Sequence, residues 1–361
     1  PILFKGKWYI AGVHREAVSS LSADVTLNIA SADTIVGEYT VIHTETLRLR
    51  TSTATESSRV QLAASPETIA AAWGGAEVNN TEGMHITCSD DAETWATRFV
   101  QHNPNVYAAD RSVMSLRDFQ TDGTYWAIAD DRGTITSTSI FYIDDIKNAS
   151  VWTFKRLDTY PDKKSGLLNY VNGVWIIGAI VQGQKAELFA AKTPAGIWTK
   201  YSIVEASALY VSQITFYNGR YWAVVGTDSQ NNWPYIASST DLKEWVITEA
   251  NGLPKYGESG SKSHEMIANS RLLAFSSGDG IFTTSDPAIG WNQVTLPSGA
   301  PNENLSSHND ILVTTGSETI AYHDYSTETR LLPTISLSDD TTTFIKAKNE
   351  LDVFEAQESG G

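Results

Sequence analysis

A single cysteine, Cys88, is all the thiol chemistry in this chain of 361 residues. A lone thiol excludes an internal disulfide framework, so stability has to come from packing. Basic residues are also scarce. The chain has 26 Lys and Arg against 42 Asp and Glu, and its net charge of −16 repels phosphate backbones and anionic lipid. Neither a nucleic-acid partner nor membrane insertion is expected. No run of 18 apolar residues occurs, which removes a membrane-spanning helix. Helical periodicity is missing as well, because apolar residues alternate or cluster in short runs broken by turn residues. The seven His are scattered, and His264-Glu265 is not part of a His-Glu-x-x-His pair, so no metal ligand is assigned. Neither a Gly-x-Ser-x-Gly elbow nor a phosphate-binding P-loop is present, and no cofactor is expected. Nothing at the start reads as a signal peptide. Pro1, taken to follow a removed initiator Met, leads directly into ILFKGKWYIAGV, so the chain is expected to be made and folded in a cytoplasm.

What the chain does have is apolar bulk, with 41% hydrophobic residues including 11 Trp, 15 Tyr and 11 Phe. It also has a repeat, clearest from Ile214 to Ile247. Strand-like runs there flank an Asn218-Gly219 hairpin turn, and a Ser239–Lys243 turn precedes a strand read as Glu244–Ile247. Trp126, Trp175 and Trp222 recur at intervals of 49 and 47 residues; Trp152, Trp198, Trp245 and Trp291 recur at 46, 47 and 46. A period of this length with four strands per unit predicts an all-β fold, a single β-propeller of four-stranded blades over residues 1–356. Seven blades are expected, at about 1–59, 60–113, 114–165, 166–210, 211–262, 263–304 and 305–340, with eight as the alternative. A closing hairpin follows at 341–356 and a polar tail at 357–361. In the first repeat Tyr39 takes the Trp place, and Thr44–Arg59, rich in Thr, Ser and Arg, is read as an excursion or extra hairpin.

Three turns carry a more specific pattern: Ser89, Asp91 and Trp95; Ser239, Asp241 and Trp245; and Ser285, Asp286 and Trp291. They resemble degenerate copies of the Asp-box (BNR) motif, Ser-x-Asp-x-Gly-x-Thr-Trp, of sialidase-like propellers. The first two are one residue short, and the third has its Asp shifted by one. The resemblance implies a structural turn between the third and fourth strands of a blade, with the carboxylate and hydroxyl capping amides and the indole wedged between sheets. A sialidase would carry a Phe/Tyr-Arg-Ile-Pro signature on the first blade. The corresponding stretch here, Ile2–Trp8, has neither its Arg nor its Pro, so no catalytic residue is assigned.

The same topology sends the second-to-third-strand and inter-blade loops to the opposite face. They are read as including His14–Asp24, Ala76–Gly83, Gln101–Arg111, Asp130–Gly133, Asp228–Pro234 and Gly252–His264. Candidate binding residues on that face are Arg15, Arg111 and Arg132, which could hold an anion or sugar, and Asn231, Asn232 and Trp233, which set an indole beside amides. Acidic, Ser/Thr/Asn-rich, almost cysteine-free propellers of this kind look like those of bacteriophage tail and adsorption apparatus. That resemblance implies a virion protein whose partners are other virion proteins, further copies of itself or a host-surface glycan. The alternatives are a sialidase-like glycan hydrolase, a free-standing carbohydrate- or protein-binding module, and residence in a bacterial cytoplasm.

Overall fold

The computed structural model describes residues 1–19, 22–35, 38–50, 60–78, 81–101, 116–130, 138–157, 163–181, 185–204, 208–227, 234–254, 265–277, 280–294, 304–308, 311–315, 319–324 and 334–336. The expected closing hairpin at 341–356 lies outside them.

Among the described residues there are seven antiparallel sheets, each built from strands consecutive in the chain. The first holds β1 (Ile2–Phe4), β2 (Lys7–Ser19), β3 (Ser22–Ala32) and β4 (Thr40–Arg50). The second holds β5 (Val60–Ala64), β6 (Ile69–Val78), β7 (Thr81–Ser89) and β8 (Ala96–Gln101), and the third β9 (Leu116–Thr121), β10 (Trp126–Asp130), β11 (Ser139–Ile143) and β12 (Thr153–Arg156). The fourth has β13 (Lys163–Val171), β14 (Val174–Val181), β15 (Lys185–Ala191) and β16 (Thr199–Val204). In the fifth, β17 (Ala208–Val211) and β18 (Thr215–Tyr217) share the inner edge of β19 (Arg220–Thr227), followed by β20 (Pro234–Ser239) and β21 (Val246–Glu249). The sixth contains β22 (Met266–Ala268), β23 (Leu273–Ser277), β24 (Gly280–Thr284) and β25 (Asn292–Gln293), and the seventh β26 (Asn304–His308), β27 (Ile311–Thr315), β28 (Thr319–Asp324) and β29 (Thr334–Ser336).

The inner strands touch in order, β1 to β5, β9, β13, β18, β22 and β26, and β26 returns to β1. The sheets therefore stand as blades of a propeller around a common axis. None of the seven combines strands from the two ends of the described chain.

Blades form because their second and third strands are apolar on both faces. In β10, Trp126 and Ile128 pack toward the second sheet, while Ala127 and Ala129 pack toward the fourth. Such strands read as continuous apolar runs rather than as alternating ones. The core is accordingly a series of face-to-face layers, each drawn from two neighbouring sheets, as with Trp73 and Ile69 of the second sheet against Val25 and Leu27 of the first. Trp73, Trp152 and Trp175 are fully buried in these layers.

Turns close the blades in the conformations their residues favour. Asn172-Gly173 and Asn218-Gly219 hold φ of 52° and 72°, and 47° and 75°, as a two-residue hairpin of the I′ kind requires. Lys5-Gly6 does the same at 48° and 80°.

Several boundaries differ from the sequence reading. Thr44–Arg50 belongs to β4, paired along β3, because Thr44, Thr46, Arg48 and Arg50 alternate with Leu47 and Leu49 as in a strand with one polar face; residues 51–59 lie outside the described set. Residues 14–19 and 22–24 extend the β2–β3 hairpin, and 76–78 and 81–83 extend β6 and β7, so these stretches are not loops. The fourth strand of the fifth sheet starts at Val246, since Asp241 keeps the Glu244 amide in the turn.

Candidate functional site

The repeated turn between third and fourth strands is the most fully specified polar arrangement. In the second sheet Ser89 Oγ donates to Asp91 Oδ1 (2.9 Å) and accepts the Ala92 amide (2.8 Å), while Asp91 Oδ1 accepts the amides of Glu93 (2.9 Å) and Thr94 (2.7 Å). The fifth sheet reproduces it: Ser239 Oγ donates to Asp241 Oδ1 (3.2 Å) and accepts the Leu242 amide (2.9 Å), and Asp241 Oδ1 accepts Lys243 (2.9 Å) and Glu244 (3.2 Å). Ala92 and Leu242, at the same place in the two turns, both take positive φ, 63° and 69°, and both are buried. The Thr94 and Glu93 amides hold the Asp91 carboxyl far below the usual carboxylate range, and the Lys243 and Glu244 amides lower that of Asp241. Both groups are ionised at neutral pH and unsuited to act as general acids.

In the sixth sheet the hydroxyl is Thr284's rather than Ser285's. Thr284 Oγ1 accepts the Asp286 amide (3.0 Å), and Asp286 Oδ1 accepts that of Ala288 (3.1 Å). This restores the Thr-x-Asp spacing and removes the one-residue shift. Ser285 contributes instead through its carbonyl, which accepts the Tyr217 hydroxyl at 3.2 Å. In the third sheet Asp145 caps alone, accepting the amides of Lys147 and Asn148 (3.0 Å each), and the Asn148 side chain is the main cause of its lowered pKa. The aromatic that follows stands immediately before the fourth strand in six sheets: Tyr39, Trp95, Trp152, Trp198, Trp245 and Trp291. Trp95, Trp198 and Trp245 are only partly buried there, whereas Trp152 and Trp291 are buried.

On the same end of the disc a cleft of about 500 Å³ opens between the second and third sheets. It is lined by the β5–β6 turn (Ser65–Thr68), the β9–β10 turn (Asp122–Thr124), Trp126 and the β11–β12 turn (Asp144–Lys147). Asp122 is fixed on three sides, taking the amides of Thr124 (2.8 Å) and Tyr125 (2.6 Å) on Oδ1 and the Trp175 indole N–H (2.7 Å) on Oδ2. Lys147 is paired with the Asp90 carboxylate, which also accepts Thr68 Oγ1 at 2.7 Å. Lys147, then Thr68, lower the Asp90 pKa. Exposed Glu67 and Asp144 complete a polar recess able to accept hydrogen bonds from hydroxyl or amino groups. A volume of this order is that of a small-ligand pocket. The sequence pointed to the opposite face and missed this cleft, although Asp122-Gly123 and Asp144-Asp145 both carry turn signatures.

A second polar system lines the axis and was also missed. Gln61 Oε1 of β5 accepts the Phe119 amide of β9 (3.2 Å), and Asp118 Oδ2 of β9 accepts the Leu168 amide of β13 (2.9 Å). Asn169 Nδ2 of β13 donates to the Ile214 carbonyl (3.0 Å), Gln213 Nε2 donates back to the Leu168 carbonyl (3.2 Å), and Glu265 accepts the Leu305 amide of β26. Asp118 and Glu265 are 4% and 8% exposed, so these carboxylates act inside the protein, Asp118 clasping the third sheet to the fourth and Glu265 the sixth to the seventh.

Of the proposed loop-face residues, Arg15 lies in β2 opposite Val25. Arg111, Arg132, Asn231, Asn232 and Trp233 lie outside the described residues. Among the described residues no group of three or more His, Cys, Asp or Glu is arranged to hold a metal ion. Burial pushes the Cys88 thiol up, which makes it a packing group.

No protein family matches the chain, and neither does any curated protein. Among solved structures it is similar to an α-L-arabinanase of Penicillium chrysogenum complexed with arabinobiose, at 13% identity over 76% of this chain and 92% of that one, with a TM-score of 0.47. It is similar to the β-propeller domain of the Trilobed protease of Pyrococcus furiosus, described as having an open velcro topology, at 10% identity over 94% and 99% and a TM-score of 0.47. It is also similar to the lectin SapL1 in complex with α-methyl fucoside, at 11% identity over 79% and 95% and a TM-score of 0.44.

Proposed function

We propose that this propeller is a non-enzymatic binding disc of a bacteriophage tail or adsorption apparatus, and that the ligand it holds is a glycan or a neighbouring virion subunit. The observation that carries the non-enzymatic reading is the use made of five carboxylates among the described residues. Asp91, Asp145 and Asp241 are ionised caps of backbone amides, and Asp118 and Glu265 are strand clasps. A glycosidase needs a carboxyl group kept protonated beside a second one across the scissile bond, and these are held in other roles. The cleft between the second and third sheets supports glycan binding, since carboxylates, hydroxyls and an ammonium surround a volume suited to one or two sugar rings. The acidic, cysteine-poor composition and the degenerate Asp-box turns support the phage assignment.

The test pairs a glycan array with an assay for released reducing sugar on the glycans that bind. Binding without release is expected, weakened by Glu67→Gln combined with Asp144→Asn. Sustained sugar release by the purified chain would overturn the non-enzymatic reading. For the virion assignment, antibodies against the chain should decorate tails in electron micrographs of particles from a producing lysate; undecorated particles would sink it. The cleft equally suits a free-standing carbohydrate-binding module, and a chain that binds glycan but never co-purifies with particles favours that second reading.

A further inference from the structure

The outer strand of the first sheet is unlike the others. Within the described residues β4 has 11, whereas β8, β12, β16, β21, β25 and β29 have 6, 4, 6, 4, 2 and 3. Short outer strands are how sheets blunt their unpaired edges, and a long one is a template for a further strand. Among the described residues β4 pairs only with β3. Thr40–Arg50 contains no Pro, and of its edge charges, Glu45, Arg48 and Arg50, Arg48 is neutralised by Asp24. Its single irregularity is an extra residue at Ile42; from His43 to Arg50 the ladder with β3 runs without a break.

This edge is also held ready. On the exposed face Thr44 Oγ1 donates to Asn28 Oδ1 (2.8 Å), the Thr46 and Thr26 hydroxyls share a hydrogen bond (2.9 Å), and Arg48 grips Asp24 through Nε (2.8 Å) and Nη2 (3.0 Å). On the other face His43 stacks on Trp95 of the second sheet, with ring centroids 5.7 Å apart. A strand fixed by its own neighbours loses little further freedom when another strand is added.

We propose that two copies of this chain join edge to edge through β4, as an antiparallel pair about a two-fold axis at Thr46. The axis stands normal to the sheet, so each face continues into the partner and the contact is isologous. In this register Thr46 opposes its own copy, Thr44 opposes Arg48 and Glu45 opposes Leu47, so no like charges meet. The register centred one residue earlier sets two Glu45 carboxylates directly opposite each other, which is destabilising. This pairing stands apart from glycan binding and is tested without it.

The purified full chain is measured by light scattering beside Thr46→Lys and Thr46→Cys. Wild type is expected at twice the chain mass. Thr46→Lys sets two ammonium groups at the axis and is expected at the chain mass, folded with the wild-type circular dichroism spectrum. Opposed residues of an antiparallel pair lie within disulfide reach, and Cys88, the chain's own cysteine, is buried. Thr46→Cys should therefore form a covalent dimer under mild oxidation that reductant returns to monomer. A wild-type monomer at all concentrations, a dimer indifferent to Thr46→Lys, or a Thr46→Cys chain that stays uncrosslinked overturns the proposal. The cysteine variant decides the matter should the lysine variant misfold.

Discussion

Asp91 and Asp241 each hold two backbone amides with one oxygen, and that arrangement ties the stability of the turn to pH. Their folded-state pKa values lie below the ordinary 3.8, so the folded state binds fewer protons than the unfolded chain in the acidic range. The stabilisation is present in full above the unfolded pKa and is lost as pH falls through the folded one. The melting temperature of the wild type should thus fall progressively below about pH 4 on account of these groups. Asp91→Asn combined with Asp241→Asn should melt lower at neutral pH and lose less on acidification. Melting curves across that range check both the offset and the slope. A double variant with the wild-type slope would remove these carboxylates as the origin of the acid sensitivity.

At the scale of the element, the tryptophans that mark the repeat are not equal. Trp175 is fully buried between the third and fourth sheets and donates its indole N–H to Asp122, whereas Trp245 is only partly buried beside its own turn. Trp175→Ala should cost about 3–5 kcal/mol. Trp245→Ala, with less area to lose, should cost roughly half as much. Denaturant titrations of the two variants test the order, and an equal loss would mean that burial does not set it. The blades were legible in the sequence because these indoles and the Asn-Gly turns recur at fixed places, and both signals are local. β4 was not, because strand residues with one solvated face, Thr44, Thr46 and Arg48, have the composition of a loop. Thr284 was passed over for its neighbour Ser285, since only the backbone path shows which hydroxyl meets the Asp286 amide. Gln61, Asp118 and Glu265 bond to the backbone of the next sheet, a relation set by the ring and absent from any one repeat. The cleft lies likewise between turns of two different sheets.

For the whole molecule, those clasps tie the second sheet to the third, the third to the fourth and the sixth to the seventh near the axis. Asp118→Ala leaves the buried Leu168 amide without its acceptor and should cost about 1–3 kcal/mol. Asp118→Asn keeps an acceptor oxygen and should cost less. Hydrogen exchange offers a sharper readout than melting, because the Leu168 amide should lose protection in the alanine variant and keep most of it in the asparagine one. Retained protection in Asp118→Ala would show that the clasp does not hold that amide.

Among the described residues every sheet is drawn from one continuous stretch of the chain, with each strand bonded to strands near it in sequence. Pairing of this kind keeps the separation between partners short, which favours fast formation of each sheet. On a ribosome, a blade can be completed before the next is synthesised, its apolar face waiting only for the following sheet to cover it. The meeting of β26 with β1 has to wait for the seventh sheet, and among the described residues it is the most widely separated encounter between inner strands in an assembly otherwise built from neighbours.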